Sequence, residues 1–273
     1  MYTVRESAVS GLFYPDSPQQ LRSYFDHWLP EESAGVHAGV SLPRALIVPH
    51  AGYAYSGAAA AKGYQLWQGA GNRIKTVVVM GPAHRVAFEG IATVSADELE
   101  TPLGRLKVDT VIRDALLSEF AQVGVSDYAN APEHSLEVHF PFIKEILPEA
   151  KVLPLLNGHV ATLQVVEVLE RLWQDESVFF VISSDLSHFH AYDEARQIDH
   201  QTADIINRRD WQSLNGERAC GYKGIQGLLG MMAHAEDPEA FKIEQLELVN
   251  SGDTAGSTES VVGYGTWAIY QSK

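Results

Sequence analysis

Three strand-length apolar runs in this chain are each followed within a few residues by a histidine, and this pattern constrains the fold more than any other feature. Thr76-Val77-Val78-Val79-Met80-Gly81 and Ser177-Val178-Phe179-Phe180-Val181-Ile182-Ser183 contain no charged residue. Uninterrupted runs of this length mark strands buried on both faces, and hence a sheet covered by helices on both sides. Arg44-Ala45-Leu46-Ile47-Val48-Pro49-His50 is a third, β-rich run. Between and after these runs lie amphipathic stretches that read as helices: 56–68 with Ser56 as N-cap, 109–122 with Asp109 as cap, 133–147, 162–174, 193–208 and 224–235. Pro141 is expected to kink or divide the fourth-turn pattern of 133–147. Weaker strands are expected at 90–94 and at 151–156, where Pro154 suits an edge or a bulge. Two strands, 241–249 and 261–270, close the chain, with a loop at 251–260 between them. The expected architecture is α/β: a three-layer αβα sandwich around a largely parallel or mixed sheet, formed as a single domain over residues 1–273.

Charge and cysteine content remove several functional classes. The 273 residues carry 20 Lys+Arg against 35 Asp+Glu, a formal net charge of -15. Such a chain repels nucleic acid and anionic lipid, so neither is an expected partner. It would also recruit a phosphorylated peptide only through a locally positive pocket. With one cysteine, no internal disulfide forms. The first residues have no apolar core behind a basic start, and no stretch reaches membrane-span length, so a cytoplasmic location is expected. There is no Walker A ending after Lys62, no dinucleotide fingerprint and no G-x-S-x-G elbow. Ser184, Asp185 and His188 are too close in sequence to form the usual hydrolase triad.

The strand ends are where an open α/β sheet places its ligands. The first run delivers Pro49-His50-Ala51-Gly52-Tyr53, the second Gly81-Pro82-Ala83-His84, and the third Ser184-Asp185-Leu186-Ser187-His188-Phe189-His190. Among 11 histidines, one near a strand end is unremarkable. Three in equivalent positions point to a metal site, because neutral imidazole is the commonest metal ligand. Glu133-His134-Ser135-Leu136-Glu137-Val138-His139 adds further candidates, with His134 and Glu137 spaced to share a helix face and join the pocket. His139 reads equally as core or as a partner of a backbone carbonyl, and His190 as at most an outer neighbour of the site. His27, His37, His159, His200 and His234 have no motif around them and read as surface or structural. Taken alone, Cys220 reads as packing.

These motifs, in this order, resemble the Memo family, which includes the proteins called AmmeMemoRadiSam system protein B. The resemblance runs from Arg5-Glu6-Ser7-Ala8-Val9-Ser10-Gly11-Leu12-Phe13-Tyr14-Pro15 through Pro49-His50-Ala51-Gly52-Tyr53, Gly81-Pro82-Ala83-His84, Thr101-Pro102-Leu103-Gly104 and the 133–139 and 183–188 segments to Val261-Val262-Gly263-Tyr264-Gly265. It implies a fold shared with class III extradiol dioxygenases and a metal held by His50, His84 and Cys220. Asp185 and His188 would line the same pocket. His188 or His134 would serve as general acid or base, and Asp185 would orient a ligating histidine. Thiolate in place of the dioxygenase carboxylate favours Fe(II) first, with Cu or Zn as alternatives. The resemblance thus implies an oxidoreductase acting on a small molecule or O2. A peptide-binding module using the same pocket and a zinc-dependent hydrolase are the competing readings. It also implies functional association with radical SAM and AMMECR-type proteins.

Overall fold

A computed structural model describes residues 3–30 and 42–272. In chain order its first elements are β1 (Val4–Arg5), α1 (Pro18–Trp28), β2 (Ala45–Val48), α2 (Ala58–Tyr64), β3 (Thr76–Pro82), β4 (Ile91–Thr93), β5 (Glu98–Leu99) and β6 (Leu106–Lys107). The middle of the chain forms α3 (Thr110–Glu119), β7 (Val123–Val125), α4 (Asp127–Asn130), α5 (Phe140–Ile146), β8 (Lys151–Asn157), α6 (Thr162–Trp173) and β9 (Val178–Ser183). It ends with β10 (His188–His190), α7 (Tyr192–Asn207), α8 (Tyr222–His234), β11 (Phe241–Asn250) and β12 (Val261–Gln271).

The main sheet runs β10-β12-β2-β9-β3-β8-β4-β7, with β11 paired to β12. Its centre, β2-β9-β3-β8, is parallel. Strand β4 joins β8 antiparallel, and β12 joins β2 antiparallel. The sheet is therefore mixed around a parallel core, as the apolar runs predict. A small second sheet, β1-β5-β6, ties the N-terminal segment to the body.

Period-2 alternation builds the three layers. Leu46, Val48, Val77, Val79, Phe179 and Val181 belong to one apolar cluster, together with α1 (Leu21, Phe25) and α5 (Phe140, Phe142, Ile143). Their neighbours Ala45, Ile47, Val78, Met80, Phe180 and Ile182 belong to the other, together with α6 (Val165, Leu169), α7 (Ile205, Ile206) and α8 (Ile225, Leu228, Leu229). Successive side chains of a strand point to opposite faces, so a run apolar at every position is covered on both.

Three local expectations change. Ser56 is not an N-cap: it lies inside a π-turn, Tyr53–Gly57, that leads into α2, and its hydroxyl donates to the Ala51 carbonyl at 3.1 Å. Pro141 neither kinks nor divides a helix. Residues 133–136 form no helix, Glu137–His139 make one 3-10 turn, and α5 begins at Phe140 with the proline in its first turn, where a missing N–H costs nothing. Pro154 sits in an interior strand, but β4 overlaps β8 only at Leu156 and Asn157, so Pro154 lies clear of that ladder. Asp109 does cap α3, accepting from the Ile112 N–H at 3.3 Å.

Candidate metal centre

Because β2, β9 and β3 are parallel neighbours, their carboxyl ends share one edge of the sheet. His50, Asp185 and His84 therefore meet there although they lie far apart in sequence. One ligand atom from each of His50, His84 and Cys220 falls within 4.8 Å of the others. His50 Nε2 is 3.3 Å from Cys220 Sγ. Two donors that each sit ~2.0–2.3 Å from one ion can be at most ~4.6 Å apart, so the 3.3 Å between His50 and Cys220 suits a single first-row metal.

Hydrogen-bond accounting fixes the histidine tautomers. The Ser183 hydroxyl is 2.6 Å from the Ser135 carbonyl oxygen, 2.6 Å from His50 Nδ1 and 2.9 Å from His139 Nε2. A carbonyl only accepts, so the one Ser183 proton goes to Ser135. Both imidazoles must then donate to the Ser183 oxygen, His50 through Nδ1–H. Burial, reinforced by His84, His134 and His139, holds the His50 pKa well below its ordinary value, so the ring is neutral. Its Nε2 lone pair is left facing Cys220. Burial also lowers His139, to about 3.

His84 is held by a carboxylate. Glu133 Oε2 accepts the His84 backbone N–H at 2.6 Å, and Oε1 lies 3.0 Å from His84 Nδ1. Oε1 also accepts the backbone N–H groups of His134 and Ser135, each at 3.0 Å. Burial would raise this carboxyl, but the adjacent His134 and His84 side chains and the backbone N–H groups of His84 and Ser135 outweigh it and hold Glu133 well below the usual range. An ionised Glu133 orients Nδ1–H of His84 and leaves Nε2 for ligation, the carboxylate–histidine arrangement of metal sites. His84, Glu133 and His134 also form a close group, but the Glu133 oxygens are already committed to these donors.

Cys220 arrives on the loop before α8. Its N–H donates to the Asp185 carbonyl at 3.2 Å, and the Gly221 N–H donates to Ser184 Oγ at 2.9 Å. A Cβ at Gly221 would lie 2.2 Å from the Ser183 carbonyl oxygen, so only glycine lets the loop close onto the end of β9. Burial, then the negative charge of Asp185, pushes the Cys220 thiol up. A cation at the site is what would hold it as thiolate.

Several sequence expectations are redistributed. The third strand end was expected to supply a histidine ligand, but Cys220 and not His188 joins His50 and His84. His188 opens β10 against β12 and attracts the Asp185 carboxylate from a distance. Asp185 holds the candidate ligand His50 through the main chain: its Oδ1 accepts the His50 backbone N–H at 2.7 Å, while its Oδ2 is 4.0 Å from His50 Nε2. Burial raises its carboxyl, opposed by the bond from His50. His134 does enter the site, stacked on His84 with ring centroids 4.7 Å apart. Its buried Nδ1 has no hydrogen-bond partner, lying 3.2 Å from Glu133 Oε1 but out of alignment. Glu137 is not in the pocket. It is fully buried, pairs with Arg5 at 2.7 Å, and accepts from the Ala8 and Val9 N–H groups and the Tyr14 hydroxyl. His139 bonds the Ser183 hydroxyl and not a carbonyl. His190 pairs with Glu194 at 3.3 Å. His27, His200 and His234 are exposed as expected, His159 is exposed but lines the cleft at the site, and His37 lies outside the described residues. The sequence motifs did not single out Ser183 and Glu133 as the groups that orient the two candidate ligand rings. Both sit inside the motifs, and only the third dimension shows which atoms they face.

Fold and site together define an αβα protein with a His/His/Cys cluster at the carboxyl edge of a parallel sheet core. The chain belongs to the Memo-like protein family, whose model matches residues 5–268. It is 32% identical to a MEMO1 family protein of Aquifex aeolicus, covering 96% of this chain and 97% of that one. It is 28% identical to the MEMO1 family protein MTH_45 of Methanothermobacter thermautotrophicus, covering 96% and 98%. A solved structure, the uncharacterized protein JW3007 from Escherichia coli K12, shares the fold with a TM-score of 0.51 at 14% identity, over 81% of this chain and 98% of that one. No helix among the described residues is long and apolar enough to cross a membrane.

Proposed function

We propose that this Memo-family chain is a metalloprotein whose His50, His84 and Cys220 hold a redox-active first-row metal, iron first, and that it acts as an oxidoreductase on a small molecule or O2. The observation that carries this reading is the 3.3 Å approach of His50 Nε2 to Cys220 Sγ, made by an imidazole whose other nitrogen is already spent on Ser183. Two imidazoles and one thiol are a donor set that fits iron, copper or zinc. Bound there, iron would supply open coordination positions and one-electron chemistry. The protein's part is to present two fixed Nε2 lone pairs through Ser183 and Glu133, and to release the Cys220 proton on binding. His134, stacked on His84 with an unpartnered Nδ1, is the group for moving a proton at the pocket wall.

The test is oxygen uptake and a visible spectrum of protein prepared anaerobically and loaded with Fe(II). Reductant-dependent uptake that disappears in His84→Ala supports the proposal. Tight zinc binding with no redox activity supports a hydrolase instead, and the absence of any bound metal supports a peptide-binding module.

A further inference from the structure

Beside the donor cluster lies a cleft of about 510 Å³ whose wall includes His84 and Cys220. Its charge is opposite to that of the whole protein. The chain carries a net charge of -15, yet the residues lining this cleft include Arg85 and Lys223 and not one Asp or Glu. Among the described residues, neither cation is spent on an ion pair. Lys223 Nζ meets only the Thr162 hydroxyl at 3.5 Å and the face of Tyr222 at 5.1 Å from its centroid, and Arg85 is exposed and unpaired. The cleft also meets the start of α8, which has neither a side-chain cap nor an acidic residue in its first turn, so its N-terminal dipole adds positive potential.

A buried polar group at the same wall adds a separate requirement, for a hydrogen-bond donor. Asn157, at the end of β8 and paired with Pro82 of β3, is only 6% exposed and lines this cleft. Its Oδ1 has no hydrogen-bond partner. A buried carboxamide oxygen without a partner is costly, and only a donor, such as a ligand hydroxyl, would satisfy it.

We infer that this cleft binds the substrate of the metal site and that the substrate is a small organic anion. Its carboxylate or phosphate group is held by Arg85 and Lys223, Asn157 Oδ1 accepts from a neighbouring hydroxyl of the same molecule, and its other end reaches His84 and Cys220. The inference deepens the proposed function and rests on it for the word substrate, while anion binding itself needs no metal. An arginine fork and a lysine ammonium serve carboxylate and phosphate alike.

The experiment titrates metal-free protein with succinate, inorganic phosphate and the neutral analogue succinamide by calorimetry at low ionic strength. Saturable binding of either anion, weakened about ten-fold or more by Arg85→Gln and by Lys223→Gln, is expected, since each variant removes a charge-assisted hydrogen bond. Tighter binding of succinate assigns a carboxylate substrate, and tighter binding of phosphate a phosphorylated one. No saturable binding of either anion, equal binding of succinamide, or affinity unchanged in both variants would overturn the inference. Metal content of the same preparations separates the two claims: His50→Ala, which removes a donor that does not line the cleft, should lose metal and keep anion binding, and Arg85→Gln the reverse.

Discussion

At Ser183 one hydroxyl proton decides the state of two imidazoles. Donated to the Ser135 carbonyl, it obliges His50 and His139 to be donors and leaves His50 Nε2 free toward Cys220. Ser183→Ala keeps every ligand but removes this constraint, so metal affinity should fall by about 10–100-fold, measured by competition with a chelating dye. The same network makes a pH prediction. His139 titrates near 3 in the folded protein because burial opposes its charge, against ~6.5 when unfolded. The unfolded state therefore binds more protons between those values, and stability falls as pH drops from ~6.5 toward 3. His139→Gln keeps a donor for Ser183 without titrating, so its thermal stability should decline less steeply between pH 7 and 4, by up to ~1 kcal/mol per pH unit. At this scale the histidines could be read from the motifs, and Cys220 only through the family resemblance. Their orienting partners could not, because Ser183 and Glu133 reach them across long gaps in sequence.

At the scale of elements, the cysteine is positioned by how closely the turn before α8 meets the end of β9. Gly221 is what allows it. In Gly221→Ala the added Cβ would meet the Ser183 carbonyl oxygen at 2.2 Å, and a backbone atom cannot move aside as a side chain tip can. Overpacking of this kind costs about 1–3 kcal/mol. The variant should melt lower by calorimetry and hold less metal, because Cys220 is displaced with its neighbour. The buried strands β3 and β9 were legible because residues apolar at every position have few other places to go. The 133–147 stretch was not. Its polar residues follow helical spacing, yet 133–136 leave the helix because the Glu133 carboxylate collects the His134 and Ser135 N–H groups. A side chain that competes for backbone donors in this way overrides local periodicity.

At the scale of the whole molecule, the N-terminal segment is fastened to the body by a buried ion pair. Arg5 reaches Glu137 at 2.7 Å and also donates to the Asn130 and Glu133 carbonyls, so it braces the segment that carries Glu133 and His134. Glu137 is completely buried. Glu137→Gln would leave Arg5 without its partner, and breaking a buried pair costs about 3–5 kcal/mol. Chemical denaturation should show that loss, while metal stoichiometry in the remaining folded protein is unchanged, since Glu137 touches no donor of the site. The parallel order β2-β9-β3 explains why three distant strand ends were a sound guide to one location. It does not explain the third donor, which comes from a helix start and follows no strand-end rule.

The central claim is that His50, His84 and Cys220 form one metal site, and the most direct measurement is metal content by mass spectrometry of protein purified without oxygen. The account predicts stoichiometric metal, chiefly iron, in the native chain and its loss in His50→Ala, His84→Ala and Cys220→Ala. A native chain without stoichiometric metal, or single variants that keep it, would contradict the account.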